Sequence, residues 1–243
     1  HLAHWFVHDA EWSLKRLHRL IVTSRTWRQT REANPAYAAA DPENRLLWRR
    51  AVQRLEIEPL RDAILAVSGR LDRTMYGPPI YPLIPREALE SHADKTSIWP
   101  AYDERAAARR TVYAFTKRSL LIPLLEVFDL CDTTRSTGRR GVTTVPTQAL
   151  TLYNSDFIME QAAHFARRLE QEAGPDRDAQ LDLAWRLAFC RRPTDDERVA
   201  VHQFLADLAA ATGDEPDPAA RDFAARVQLA RVVFNLNEFA YPD

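Results

Sequence analysis

The chain has 243 residues, 46% of them hydrophobic, so it can bury the core of one large domain. Its 33 basic and 34 acidic side chains nearly cancel. The net charge of −1 gives no general field that would attract nucleic acid or an acidic membrane. No apolar stretch approaches the roughly 20 residues that a membrane-spanning helix needs.

The first 23 residues carry the pattern of two amphipathic helices. Leu2, Trp5 and Phe6 already recur at helical spacing, and a second helix is expected to open near Ser13. Because the pattern begins at the first residue, we expect the chain to be a C-terminal piece of a longer protein. Any targeting segment would then lie upstream.

The next stretch contains two helix-start signals. Residues 41–44 (Asp-Pro-Glu-Asn) combine a capping residue, a first-turn proline and an acidic side chain, which predicts a helix there. The Asn34-Pro35 pair before it is typical of a loop. A second helix is predicted over residues 57–67, ended by Ser68-Gly69.

Residues 70–104 are predicted to form an irregular, proline-rich insertion, with Tyr76, Tyr81 and Trp99 interleaved among the prolines. Two interpretations stay open: an ordered loop whose aromatics pack on the helical core, or a ligand groove lined by aromatics. The β-branched and aromatic residues 111–116 predict one short β-strand.

The C-terminal half is predicted to be helical. Thr194 and Glu197 fit a capping box that opens one of its helices. The other predicted helices cover 146–153, 156–172, 178–190 and a last segment that ends near Asn237. The predicted fold is therefore all-α, with one short strand, in a single domain over residues 1–243.

The two cysteines are isolated. Without a CxxC or CxxCH motif, Cys131 and Cys190 provide neither a zinc knuckle nor a covalent haem site. The apolar residues before Cys190 predict a buried thiol, and a disulfide between the two stays open. No cofactor is expected in this fragment.

The densest polar stretch runs from residue 129 to 148. Hydroxyls, arginines and a helix start are typical of an anion site, but the same residues describe a helix cap braced by arginines. The candidate anion or ligand residues are Asp129, Arg139, Arg140, Thr144, Thr147 and, upstream, Arg110. No nucleophile elbow, Walker loop or dinucleotide motif is present, so no catalytic residue is assigned.

The histidines give no firm metal site. His1, His4 and His8 share one helical face, where histidines one turn apart can ligate a metal. Exposed histidines at the end of a helix explain the same spacing, so no metal ligand is assigned. The remaining histidines each stand alone and are interpreted as packed or surface residues: His18, His92, His164 and His202.

Several motifs, in order along nearly the whole chain, resemble the planctomycete-specific domain of unknown function 1553. They are WSLKRLHRLIV at 12–22, DPENRLLWR at 41–49, RDAILAVSG at 61–69, RRTVY at 109–113, TVPTQAL at 144–150 and NEFAY at 237–241. The resemblance implies an exported, extracytoplasmic chain with a planctomycete-type cytochrome c module upstream. It supplies no catalytic residue.

Three functions follow as expectations. The first is a non-catalytic interaction or scaffold domain, with the upstream domains of its own chain, among them a cytochrome c module, as partners. The second is an enzyme or binding domain for anionic or sulfated polysaccharide. The third is a redox accessory that docks a cytochrome module. Nucleic acid is not an expected partner.

Overall fold

A computed structural model describes residues 1–90, 99–211 and 217–242 and confirms the mainly helical fold. These residues form thirteen α-helices and one 3₁₀ helix, and their β-pairing is confined to isolated bridges. Residues 91–98 of the predicted insertion, including His92, lie outside the described residues. None of the described helices combines the length and the apolarity that a bilayer crossing demands.

The chain divides into two compact units, residues 1–53 and 54–242. The first unit contains α1 (Leu2–His8), α2 (Leu14–Val22) and α3 (Pro35–Ala40). The hydroxyl of Ser13 caps α2 by accepting a hydrogen bond from the amide of Arg16 at 3.3 Å. The assignment of residues 1–243 to a single domain stays a prediction.

The prediction of a helix that starts at residues 41–44 is wrong, because these residues form a loop. The Asp41 carboxylate accepts hydrogen bonds from the amides of Arg45 and Leu46, at 3.0 and 2.7 Å, and closes a loop. A helix cap would instead bind amides two or three positions ahead. Asn34 makes such bonds, to Ala36 and Tyr37, so a helix begins where a loop was expected.

The second unit holds the remaining helices. They are α4 (Ile57–Val67), α5 (Arg86–Glu90), α6 (Glu104–Ala107), the 3₁₀ helix (Thr111–Tyr113), α7 (Pro123–Val127), α8 (Pro146–Asn154), α9 (Asp156–Ala173), α10 (Arg177–Phe189), α11 (Asp195–Ala211), α12 (Pro218–Asn235) and α13 (Asn237–Ala240). The predicted helices over 57–67 and through the C-terminal half are confirmed.

Helices α9 and α12 form the centre of this unit, and α4, α8, α10 and α11 pack around them. The rings of Phe165 on α9 and Phe234 on α12 stack at 5.6 Å. Both side chains are fully buried, as are Ile158 and Val233. Each such side chain contributes about 1.5–3 kcal/mol to the free energy of unfolding.

The prediction of a β-strand over residues 111–116 is wrong. Thr111 opens a 3₁₀ helix because the Asp62 carboxylate accepts bonds from both its amide and its hydroxyl, at 2.7 and 2.6 Å. Beyond that helix, Ala114 forms a single parallel bridge with Ile80. A tertiary contact therefore overrides the local β-propensity.

The aromatic residues of the proline-rich segment divide into two groups. Trp99 is buried, and its ring packs edge-on against Tyr81 at 5.2 Å. Phe115 lies 5.4 Å from the same tyrosine ring. Tyr76, in contrast, is 80% exposed. The packing interpretation therefore holds for Tyr81 and Trp99 but not for Tyr76.

The buried guanidinium of Arg61, on α4, fastens the segment between α6 and the 3₁₀ helix. It is 2% exposed and donates to the carbonyls of Ala107 and Arg109, at 2.7 and 3.3 Å, and to the hydroxyl of Thr111 at 3.2 Å. Burial lowers the pKa of Arg61 to about 10, so the side chain remains a cation at neutral pH. An arginine side chain offers five N–H donors, which is enough to bind these three acceptors at once.

The connection between α10 and α11 confirms the capping box. The Thr194 hydroxyl accepts from the Glu197 amide at 3.2 Å, and the Glu197 carboxylate accepts from the Thr194 amide at 2.7 Å. Arg191 joins Glu197 to Glu238 of α13 with bonds of 2.6 to 2.8 Å.

The prediction that the thiol of Cys190 is buried is wrong. Cys190 ends α10 in a left-handed backbone conformation, and its thiol is free and exposed.

Replacing Arg61 should destabilise the fold strongly. We expect Arg61→Ala to lower the free energy of unfolding by about 3–5 kcal/mol, because several buried acceptors lose their donor. Urea denaturation followed by circular dichroism measures this. Arg86→Ala is the control, since Arg86 pairs with Glu90 on the surface and should change stability by less than about 0.5 kcal/mol. Equal effects of the two variants would contradict the role of Arg61.

The contribution of Glu197 should depend on pH. Hydrogen bonds from Arg191 lower the pKa of Glu197 from 4.5 to about 2. A lowered pKa means that the ionised carboxylate stabilises the fold above pH 4.5 and that this contribution is lost as the pH falls toward 2. The urea midpoints of the wild type and Glu197→Gln should therefore differ most above pH 5 and converge as the pH falls toward 2. A difference that grows on acidification would contradict this assignment.

Candidate functional site

The polar loop that follows α7 begins at Asp129, which is held from two sides. Its carboxylate pairs with the buried guanidinium of Arg54 at 2.5 Å and accepts from the amide and hydroxyl of Thr143, at 2.9 and 2.7 Å. Asp129 also adopts a left-handed backbone conformation with φ of 65°. Its side chain therefore closes the two ends of the loop on each other.

Arg140 closes the same loop onto α4. Its guanidinium forms a two-pronged pair with Glu58, at 2.6 and 2.8 Å, and lies 3.4 Å from Glu56. The hydrogen bonds from Arg140 lower the pKa of Glu58 below its ordinary value of 4.5. Most of the positive charge that predicted an anion site is thus already matched by carboxylates.

The other predicted site residues are distributed over different surroundings. The Thr144 hydroxyl lies 3.2 Å from that of Tyr241, and Arg139 is exposed. Thr147 lies on α8 and lines a separate apolar groove. Arg110 lies 3.7 Å from Asp62, near the 3₁₀ helix.

Two of the predicted residues do share a cavity. Asp129 and Arg140 line a shallow opening of about 370 Å³, together with Asp132 and Arg135. Asp132 and Arg135 pair with each other at 2.8 Å. Both arginines of this opening therefore already contact carboxylates, and the anion site stays a prediction.

A second polar cluster, which sequence reasoning missed, lies between α6 and α9. Glu104 comes from α6, and Glu160 and His164 come from α9; one donor atom from each lies within 4.8 Å of the others. The hydroxyl of Tyr102 donates to Glu160 at 2.8 Å. The spacing of Glu160 and His164, one helical turn apart, is the signal that could have been found. The sequence gives no indication that Glu104 lies close to these two residues.

Glu160 titrates differently from a free carboxyl group because of its surroundings. Burial and the nearby charge of Glu104 raise the pKa of Glu160 above its ordinary value of 4.5, while hydrogen bonds from Tyr102 and Gln161 act in the opposite direction. Burial and the bond to Glu160 also raise the pKa of the Tyr102 hydroxyl well above its ordinary value. Such a cluster can hold a proton or a cation between its oxygens.

An apolar groove of about 460 Å³ lies along α7, α8 and the start of α9. Its apolar lining is formed by Leu83, Pro85, Pro123, Leu124, Val127, Leu150 and Phe157, and its polar lining by Thr147, Thr151, Asn154, Ser155 and Asp156. Leu150 leaves 59% of its surface exposed, while Phe157 is buried. The groove therefore combines a packed floor with an accessible apolar edge.

The family of the chain follows from residues 1–205, which match the model described as PSD1, protein of unknown function (DUF1553). The chain belongs to the DUF1553 family. The matched residues include the loop after α7, the cluster between α6 and α9, and the groove. They end within α11, so the NEFAY motif of this DUF1553 chain lies beyond them. Neither the curated proteins nor the solved structures contain a match to the chain.

Breaking the contact between Glu58 and Arg140 should free the loop of this DUF1553 protein. In Glu58→Ala we expect trypsin to cleave after Arg135 and Arg139 at least about threefold faster than in the wild type, because local opening costs less free energy. Cleavage rates followed by mass spectrometry give the result. Glu90→Ala is the control, since its partner Arg86 is exposed and distant in sequence. Unchanged cleavage in Glu58→Ala would show that Arg140 does not hold the loop.

Proposed function

We propose that the chain is a non-catalytic interaction domain of a larger, extracytoplasmic, cytochrome c-associated protein. The apolar groove along α7 and α8 is its contact surface, and the partner is a polypeptide from the cytochrome c module of that protein. Membership of the DUF1553 family supports the setting through the resemblance described above. The observation that carries the proposal is the groove itself.

The groove suits an apolar partner. Isolated exposed leucines are common on protein surfaces, but Leu150 continues a concave apolar lining that reaches down to the buried Phe157. Inserting two or three aliphatic side chains there would remove both their surface and that of the groove from water. Each buried methylene contributes about 0.8 kcal/mol.

The charge of the groove argues against an anionic polysaccharide as its occupant. Among the described residues that line it, Asp156 carries a charge and none is basic. Sulfate and carboxylate groups would meet no guanidinium or ammonium from these residues, and Asp156 would repel them.

A charge placed in the groove should abolish partner binding. We expect a purified planctomycete-type cytochrome c module to raise the melting temperature of the wild-type domain, because binding to the folded state stabilises it. In Leu150→Glu the shift should disappear. The matched control is Val199→Glu, whose position on α11 is 69% exposed and outside the groove, and which should retain the shift.

A parallel titration separates this proposal from the polysaccharide alternative. Dextran sulfate and neutral dextran should leave the melting temperature of the wild type unchanged. If dextran sulfate raised it while the cytochrome module did not, the domain would be a polyanion binder and the proposal would be wrong. A cytochrome-induced shift that is equal in Leu150→Glu and the wild type would move the contact surface away from the groove.

A further inference from the structure

The cluster between α6 and α9 brings together three side chains of the types that ligate metal ions. His164 offers the imidazole Nε2, and Glu104 and Glu160 each offer a carboxylate oxygen, all within 4.8 Å of one another. His164 Nε2 lies 2.7 Å from Glu104 Oε1. Ligand atoms around a tetrahedral zinc ion are about 3.3 Å apart. The distance between His164 and Glu104 is shorter than that value and the other separations do not exceed 4.8 Å, so side-chain adjustments would bring the three atoms into the geometry of a zinc site.

Glu160 is already oriented by its neighbours. Its Oε1 accepts hydrogen bonds from the Tyr102 hydroxyl at 2.8 Å and from Gln161 Nε2 at 2.9 Å. Gln161 is itself buried and fixed, because its Oε1 accepts from the Ser68 hydroxyl at 2.7 Å. Among the described residues, Oε2 has a longer contact with the Tyr102 hydroxyl, at 3.1 Å. Hydrogen-bonded carboxylates of this kind are typical of metal ligands and their supporting residues.

Glu104 lies directly beside His164. Its Oε1 is 2.7 Å from His164 Nε2 and 2.8 Å from Arg70 Nη2. An ion bound to His164 Nε2 would therefore be within reach of the same carboxylate.

The cluster differs from another pair of carboxylates in the same protein. Around α11 and α13, the carboxylates of Glu197 and Glu238 both bind Arg191. In the cluster, Glu104 pairs with Arg70 and His164, and Glu160 accepts from Tyr102 and Gln161. A divalent ion would add a positive charge that both carboxylates share.

We propose that Glu104, Glu160 and His164 bind a divalent transition-metal ion, with Zn²⁺ as the preferred species. One imidazole nitrogen with two carboxylate oxygens suits zinc, whereas magnesium and calcium prefer oxygen ligands alone. Three protein ligands leave one coordination position open to water or an exogenous ligand. His164 also lines an open cleft of about 400 Å³, so its imidazole is accessible from the surface.

The test is a titration of the metal-stripped full chain with Zn²⁺ against a chromophoric chelator. Because His4 and His8, whose rings lie 4.3 Å apart on α1, could also bind zinc, the titration is carried out in a His4→Ala/His8→Ala background. We expect one ion per chain and an increased melting temperature. Excess Mg²⁺ should not displace the ion.

Three variants in that background locate the site. Glu160→Gln preserves shape and the acceptor for Tyr102, so it should fold, and it should lose at least about 100-fold in zinc affinity; His164→Ala should do the same. The matched control is His202→Ala, a surface histidine paired with Asp178 at 2.9 Å, which should bind zinc like the parent. Cobalt substitution gives a separate readout through its visible absorption, which both ligand variants should abolish.

The proposal is overturned if the parent binds no zinc stoichiometrically, or if Glu160→Gln and His202→Ala bind it equally well. It is also overturned if stoichiometric binding occurs only while His4 and His8 are present, since the site would then lie on α1. These outcomes do not depend on the cytochrome partner, so the interaction surface and the metal site can fail separately.

Discussion

The second unit depends on arginine side chains that donate to backbone carbonyls outside regular secondary structure or at helix ends. Arg61 does so for the segment before the 3₁₀ helix, and Arg109 for the carbonyls of Thr74, Tyr76 and Pro78. Arg168 binds the last carbonyls of α4, and Arg231 the carbonyl of Tyr153 near the end of α8. Buried carbonyls must be paired, and a guanidinium carries five donors in one plane. The helices can therefore hold long irregular segments without a sheet.

This use of arginine changes what the polar loop after α7 indicates. An arginine-rich sequence is typical of anion binding, but here Arg54 and Arg140 each contact a carboxylate, of Asp129 and Glu58. The two candidate binding sites lie elsewhere, in the apolar groove along α7 and α8 and in the cluster of Glu104, Glu160 and His164. The two proposals rest on an accessible apolar surface and on the placement of three side chains that can ligate a metal, rather than on the density of charge.

The sequence predicted features whose determinants are local. Apolar periodicity identified α4 and α9, and the Thr194–Glu197 pair identified the start of α11. Prediction from the sequence failed where a partner distant in the chain determines the conformation, as at Thr111, whose amide and hydroxyl donate to Asp62. The same limit applies to the candidate metal site. Glu160 and His164 share a helical face that is visible in the sequence, but Glu104 is 56 positions upstream of Glu160 and meets them only through the fold.

The central claim is that buried guanidinium groups hold the irregular segments in place. Hydrogen exchange of ¹⁵N-labelled arginine side chains, followed by nuclear magnetic resonance, tests it most directly. The account predicts that the guanidinium protons of Arg61 and Arg109 exchange slowly, at rates limited by opening of the fold, while those of the exposed Arg135 and Arg139 exchange at the rate of free arginine. Equally fast exchange at all four positions would contradict it.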